Sequence, residues 1–260
     1  CSAILPRAKV TKTATPRMRG LALWIGLLAP QAALAVTCRD LSFEGAGYTA
    51  CEVTAADDLR LFLNGATGPY GTFAALETAL QAQGLTLEFA MNAGMFHEDF
   101  APVGLYVEAG QESHPLVTAA GPGNFGMLPN GVFCIGGTRP FAVIESRAFA
   151  KTRPACRHAT QSGPMLVIGG ALHPRFIPGS DSVKYRNGVG VSSDGQRAVF
   201  VISDERVNFD AFGRLFRDGL VLPEALYLDG SISRLYAPQI GRDDGGWPMG
   251  PMVAVVRAKE

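Results

Sequence analysis

Five residues of the 260-residue chain stand out for the chemistry they could do: Arg186, Asp229, Asp204, Asn92 and Gln161. Each sits where an apolar run begins or ends. Arg186 opens Arg186-Asn187-Gly188-Val189-Gly190. A guanidinium keeps its charge and offers a planar fork that fits two phosphate oxygens. The glycines beside it leave room for a ligand. Asp229 ends the run Leu226-Tyr227-Leu228 and enters the loop Gly230-Ser231, and Asp204 closes Val199 to Ser203. Two carboxylates at converging strand ends are what glycoside chemistry needs. Asn92, in Asn92-Ala93-Gly94-Met95-Phe96, carries both donor and acceptor groups suited to sugar hydroxyls, and Gly94 allows close backbone approach. Gln161-Ser162-Gly163-Pro164 opens a further apolar run.

Other chemistries find less support. No Gly-x-Ser-x-Gly occurs, so Ser162 reads as a hydrogen-bonding residue rather than a nucleophile. His97-Glu98-Asp99 cannot turn three consecutive side chains to one point on an extended strand. His97, His114, His158 and His173 are widely spaced, without a compact metal motif. A divalent cation held by aspartate and backbone oxygens has one candidate place, Asp243-Asp244, where a solvated turn is the simpler reading.

The elements that must position these residues are mostly strands. Leu85–Met91, 104–107, 131–135, 141–144, 164–168, 225–228 and 252–256 are short apolar runs bounded by turn residues. Asp194-Gly195, between 189–193 and 196–202, predicts a tight hairpin turn with positive φ at both positions. Helical spacing of Phe73, Leu76 and Leu80 predicts one helix, capped by Thr72 and stopped at Gly84. Phe209, Phe212, Leu215 and Phe216 predict a second, from Asn208 to Gly219. The expected class is α+β, with a mainly antiparallel sheet core.

Residues 1–35 differ in composition. Arg7, Lys9, Lys12, Arg17 and Arg19 precede an apolar run from Leu21 to Leu28 and the small-x-small site Ala33-Leu34-Ala35, with no acidic residue. This is the pattern of a secretory signal peptide, too short in its apolar part for a membrane span. Met18 is the natural start of such a peptide, which makes residues 1–17 an upstream over-extension. Cleavage after Ala35 leaves residues 36–260 as a single domain. The formal charge of zero then becomes mildly acidic, which gives no pull toward nucleic acid or anionic lipid. Four cysteines remain, without a Cys-x-x-Cys. In an exported (periplasmic or secreted) chain they pair, and short closure favours Cys38–Cys51 and Cys134–Cys156.

In this order, Asn92 to Phe96, Gln161 to Pro164, Arg186 to Gly190 and Leu228 to Ser231 resemble the phosphodiester glycosidase family, over roughly residues 85–256. The family pattern is Asn-Gly-Gly-Phe, Ser-Gly-Pro, Arg-x-x-x-Gly and, after a helix, Leu-Asp-Gly-Gly-Gly-Ser. Here Asn92-Ala93-Gly94 replaces Asn-Gly-Gly, and Asp229-Gly230-Ser231-Ile232-Ser233 lacks the glycine triplet. The resemblance implies hydrolysis of a sugar-1-phosphodiester at the sugar–oxygen bond. Arg186 would then hold the leaving phosphate, and Asp229 or Asp204 would act on the anomeric centre or its water. Asn92, Gly94, Phe96, Gln161, Ser162, Gly163, Asn187, Gly230 and Ser231 would line the substrate. Two other readings compete: a non-catalytic envelope module that binds a glycan or phosphoglycan, and a metal-dependent phosphodiesterase that cleaves the P–O bond.

Overall fold

Alternation of apolar residues along short strands sets the architecture of the computed structural model, which describes residues 1–3 and 36–259. The leader and its expected cleavage site lie outside the described residues, except for residues 1–3. From Val36 onward the described residues fall in one compact unit. The class is α+β with antiparallel pairing throughout the named sheets.

The largest sheet has seven strands, in the order Thr37–Phe43, Ala46–Thr54, Arg197–Ser203, Asn187–Val191, Glu224–Tyr227, Met165–Ile168 and Ala171–Leu172. Two five-stranded sheets face it. One contains Gly131–Ile135 and His158–Ser162; the other contains Leu85–Asn92, Leu235–Ala237 and Met252–Ala258. Phe200 and Val189 from the first sheet, Phe133 from the second and Phe89 from the third meet in the main core.

Helices cover the outer faces. Helix Phe73–Gln81 buries Phe73, Leu76 and Leu80 against the third sheet, and Thr72 caps it by accepting the Ala75 N–H at 3.2 Å. Helix Phe209–Arg214 continues as one π-helical stretch, Leu215–Gly219. Asn208 caps it at 2.8 Å from the Ala211 nitrogen. Its Phe212 and Phe216 press on the large sheet. A third helix, Ser146–Thr152, is missing from the sequence reading. It is two turns long and anchored by Phe149, too short for a visible period.

The turns correct one expectation. Asp194 does not take positive φ; only Gly195 does, at 72°. The hairpin closes as a wider turn in which Gly195 donates to the Ser192 carbonyl at 2.9 Å. The tight two-residue turn with both φ positive occurs instead at Glu44-Gly45, at 50° and 85°, between the first two strands. Those strands place Cys38 opposite Cys51, and the structure joins them, as it joins Cys134 to Cys156.

Candidate active site

At one end of the sheets, strand ends from two sheets deliver side-chain amides into a single hydrogen-bonded knot. Asn92 ends Leu85–Asn92 and Asn187 opens Asn187–Val191, and both are buried. Their amides bond reciprocally: Asn92 Nδ2 donates to Asn187 Oδ1 at 3.2 Å, and Asn187 Nδ2 to Asn92 Oδ1 at 3.1 Å. Asn187 Oδ1 also accepts the Asp229 N–H at 3.1 Å, and Asn187 Nδ2 reaches Ser233 Oγ at 2.8 Å. Ser162 Oγ donates to the Leu228 carbonyl. The Asp229 loop is thus fixed by residues from three other strand ends.

Asp229 is 9% exposed. Its Oδ1 accepts the Gly230 N–H at 2.6 Å and the Ser231 N–H at 2.9 Å. No cation lies within 4.0 Å of it among the described residues. Burial raises its pKa, and the backbone N–H groups of Ser231, Gly230 and Ile232 oppose the rise. Gly230 is required there, because a Cβ would strike the Tyr227 hydroxyl.

Arg186, on the strand end next to Asp229, is 1% exposed. Nε donates to the Val207 carbonyl at 2.8 Å and Nη2 to the Ser182 carbonyl at 3.0 Å. Its guanidinium carbon lies 3.5 Å from the Phe209 ring centre and 5.5 Å from that of Tyr227. Nη1 is buried without an acceptor, and among the described residues no carboxylate within 4.0 Å balances the charge. Burial lowers the Arg186 pKa and the Tyr227 hydroxyl opposes the shift. A buried guanidinium with an unfilled donor and no counter-ion suits an anionic ligand. Beside it is a cavity of about 170 Å³, lined in part by Asn124, Ser182, Phe176 and Phe209.

A phosphodiester glycosidase family model matches residues 86–256, a span that contains every part of this knot. The chain belongs to the phosphodiester glycosidase family. It is 41% identical to the uncharacterized protein YigE of Escherichia coli (strain K12) over 167 residues, a match that spans 64% of each chain. It therefore spans just under two thirds of the length of that curated relative. Among solved structures, it superposes with a TM-score of 0.56 on the catalytic domain of zebrafish N-acetylglucosamine-1-phosphodiester alpha-N-acetylglucosaminidase, described as auto-inhibited by its pro-peptide. That match covers 85% of this chain and 81% of the other at 14% identity, which shows a shared fold.

Within this member of the phosphodiester glycosidase family, the residues singled out from sequence separate into two groups. Asn92, Ser162, Asn187, Asp229, Gly230 and Ser231 come together, and Arg186 adjoins them in sequence, its guanidinium on the opposite face of the sheet from Asn187, against Tyr227. Asp204 does not join them. Its carboxylate pairs with Arg242 at 2.9 Å and accepts from Thr49 at 3.4 Å. Ile202 points into the main core, so alternation turns Asp204 to that same side of the large sheet. Arg186, against Phe209 and Tyr227, is on the helix-covered side.

Gln161 is also engaged. Its Oε1 accepts the Leu105 and Val117 N–H groups at 3.0 Å each, and its Nε2 donates to the Val117 carbonyl, so it holds the 105–117 segment. The glycines that were expected to leave ligand space are filled by protein. Gly188 faces Phe212, Gly190 faces Phe216, Gly94 lies against Thr160 and Gln161, and Gly163 against Asn130. Phe96 stacks on Phe100 with ring centres 6.0 Å apart and packs over Gly250. The candidate cation position is occupied by protein contacts: Asp244 accepts the Leu235 N–H at 3.0 Å and pairs with Arg242 at 3.1 Å. No cluster of three or more His, Cys, Asp or Glu suited to a metal exists among the described residues.

Sequence reasoning missed Tyr227 and Phe209. Tyr227 had a usable signal, because it lies two residues before Asp229 on a strand and so faces the same side. Phe209 did not, because an aromatic residue in a helical stripe reads as core.

Proposed function

We propose that this protein is an exported hydrolase that cleaves the sugar–oxygen bond of a sugar-1-phosphodiester. The observation that carries the reading is the placement of Arg186 and Asp229, each buried without an opposite charge within 4.0 Å among the described residues. A buried guanidinium lacking a counter-ion and a buried carboxylate lacking a cation are held on adjacent strand ends. Family membership and the two disulfides support it, the latter because such bonds persist in oxidising compartments. The periplasm or the extracellular space is the proposed location.

In this reading the scissile phosphate meets Arg186, whose Nη1 has no protein acceptor to give up. A phosphomonoester is already a competent leaving group, with a second pKa of about 6, so a strong general acid is not demanded. Water attacks the anomeric carbon, the bond from that carbon to the phosphate oxygen breaks, and the phosphate departs with the electron pair. Asp229 acts on the attacking water or stabilises the oxocarbenium-like centre. Asp204, tied to Arg242, has no part in it.

The test is release of free sugar from a sugar-1-phosphodiester in ¹⁸O-water. Label in the sugar is expected. Label in the phosphate alone would mean P–O cleavage and a phosphodiesterase. Tight glycan binding without turnover, unaffected by Asp229→Asn, would mean a binding module.

A further inference from the structure

Arg234 is a buried cation that the reaction above does not use. It is 7% exposed and lies five residues after Asp229 on the same loop. Its backbone N–H donates to Asn92 Oδ1 at 3.0 Å, which ties it to the knot. Its guanidinium makes no hydrogen bond and no ion pair with any described residue. Asp244, the acid that acts on it electrostatically, is already committed to Arg242 and to the Leu235 N–H. Unlike Nη1 of Arg186, none of its nitrogens is both sealed from solvent and without a partner. A ligand can therefore reach it.

Room for this guanidinium comes from Gly246. A Cβ there would come within 2.5 Å of Arg234 Nη2. Gly246 itself has φ of 130°, a backbone that side chains rarely adopt, so the position is reserved for glycine by its backbone. The next residue, Trp247, is 80% exposed. The guanidinium nitrogens of Arg234 meet solvent but no acceptor among the described residues, so an incoming anion has only water to replace. An anion at this place offers charge-assisted hydrogen bonds in place of water, and Arg provides a fork for a carboxylate, sulfate or phosphate.

We propose that Arg234 binds a second anionic group of the substrate, so that the preferred substrates are sugar-1-phosphodiesters with an acidic group besides the scissile diester. The inference rests on the glycosidase reading for the word substrate, and on Arg234 alone for the anion. The acidic group can belong to the sugar or to the group esterified to its phosphate.

Three probes separate these sources: the methyl phosphodiester of glucose-1-phosphate, the methyl phosphodiester of glucuronic acid-1-phosphate, and a glucose-1-phosphodiester of glycerol phosphate. Binding is measured by calorimetry and turnover by sugar release, for the wild-type protein, Arg234→Gln and Arg234→Lys. At least one probe with a second acidic group should bind about 10–100-fold more tightly than the glucose methyl phosphodiester, which has only the diester charge, the scale of a hydrogen-bonded charge pair. Arg234→Gln should abolish this preference. Arg234→Lys keeps the charge without the fork and should retain a smaller one, which gives a second reading if the glutamine variant folds poorly. Equal binding of all three probes, or an equal loss for all three in both variants, overturns the proposal. A preference that vanishes in Arg234→Gln while no probe releases sugar keeps the anion site and removes the glycosidase reading.

Discussion

The guanidinium carbon of Arg186 sits 3.5 Å from the centre of the Phe209 ring, and Phe176 stacks on the same ring at 5.2 Å. An arginine held this way has lost most of its rotamer freedom before any ligand arrives. Its two carbonyl contacts, to Val207 and Ser182, fix the plane of the fork.

Phe209→Leu keeps an apolar side chain but removes the ring beneath the cation. A cation–π contact of about 1–2 kcal/mol translates into a fall of about 5–30-fold in kcat/KM for a sugar-1-phosphodiester. Arg186→Lys should lose more, because an ammonium on a flexible stem cannot reproduce the fork. Steady-state kinetics on the two variants, with circular dichroism to confirm folding, gives the ordering. A lysine variant as active as wild type would refute the phosphate role.

Asp229→Asn should lower activity by about 10²–10⁴-fold, the range for a general base or electrostatic stabiliser. The same change should raise the melting temperature at pH 7.5. The folded pKa of Asp229 lies above its unfolded value, so its stabilising contribution is complete below the unfolded pKa and is lost as pH rises through the folded one. Asparagine keeps the acceptor for Gly230 and Ser231 and carries no charge to bury. Melting curves of the two proteins should converge near pH 3.5. A variant less stable than wild type at pH 7.5 would contradict the burial argument.

His158 sets a separate acid limit. Its Nδ1 accepts the Ala109 N–H at 3.1 Å, its Nε2 is buried without a partner, and burial pushes its pKa down to about 4. A depressed folded pKa means stability that is present above the unfolded value of about 6.5 and falls away as pH drops toward 4. His158→Gln should flatten the wild-type stability profile across that window. Urea midpoints at half-unit pH steps would reveal an unchanged slope if another group is responsible.

Reducing the two disulfides should destabilise the fold by about 2–4 kcal/mol for each bridge. Mass analysis of alkylated, non-reduced protein should find none of Cys38, Cys51, Cys134 and Cys156 modified. Alkylation of all four would disprove both bridges.

Much of the site is legible in the sequence because its residues stand where apolar runs stop, and antiparallel strand ends gather at the rims of sheets. Asn92, Arg186 and Asp229 follow from that rule. Asp204 obeys the same rule yet points elsewhere, because which face a strand-end residue takes depends on the register of the neighbouring strands. The glycines of Arg186 to Gly190 mislead for a related reason: space beside a strand can be filled by a helix distant in sequence, here by Phe212 and Phe216. The first hairpin is hidden by its turn. Glu44 occupies a left-handed position that asparagine or aspartate normally marks, whereas Asp194-Gly195 carries the usual mark and makes a different turn.

The reciprocal amide pair of Asn92 and Asn187 also bears on how the protein ages. Asn187 precedes Gly188, the sequence context in which asparagine most readily cyclises and sheds its amide as ammonia. In the folded state the Asn187 amide is buried and its atoms are bonded to Asn92, Asp229 and Ser233, so attack by the next backbone nitrogen is blocked. Once the chain opens, that protection ends. A carboxylate formed at position 187 would face Asn92 Oδ1, the Ile232 carbonyl and Ser233 Oγ, three oxygens that now receive hydrogens from the amide. Heat damage at position 187 should therefore become chemical and permanent, and the time spent unfolded should govern how much of this buried amide pair can reform.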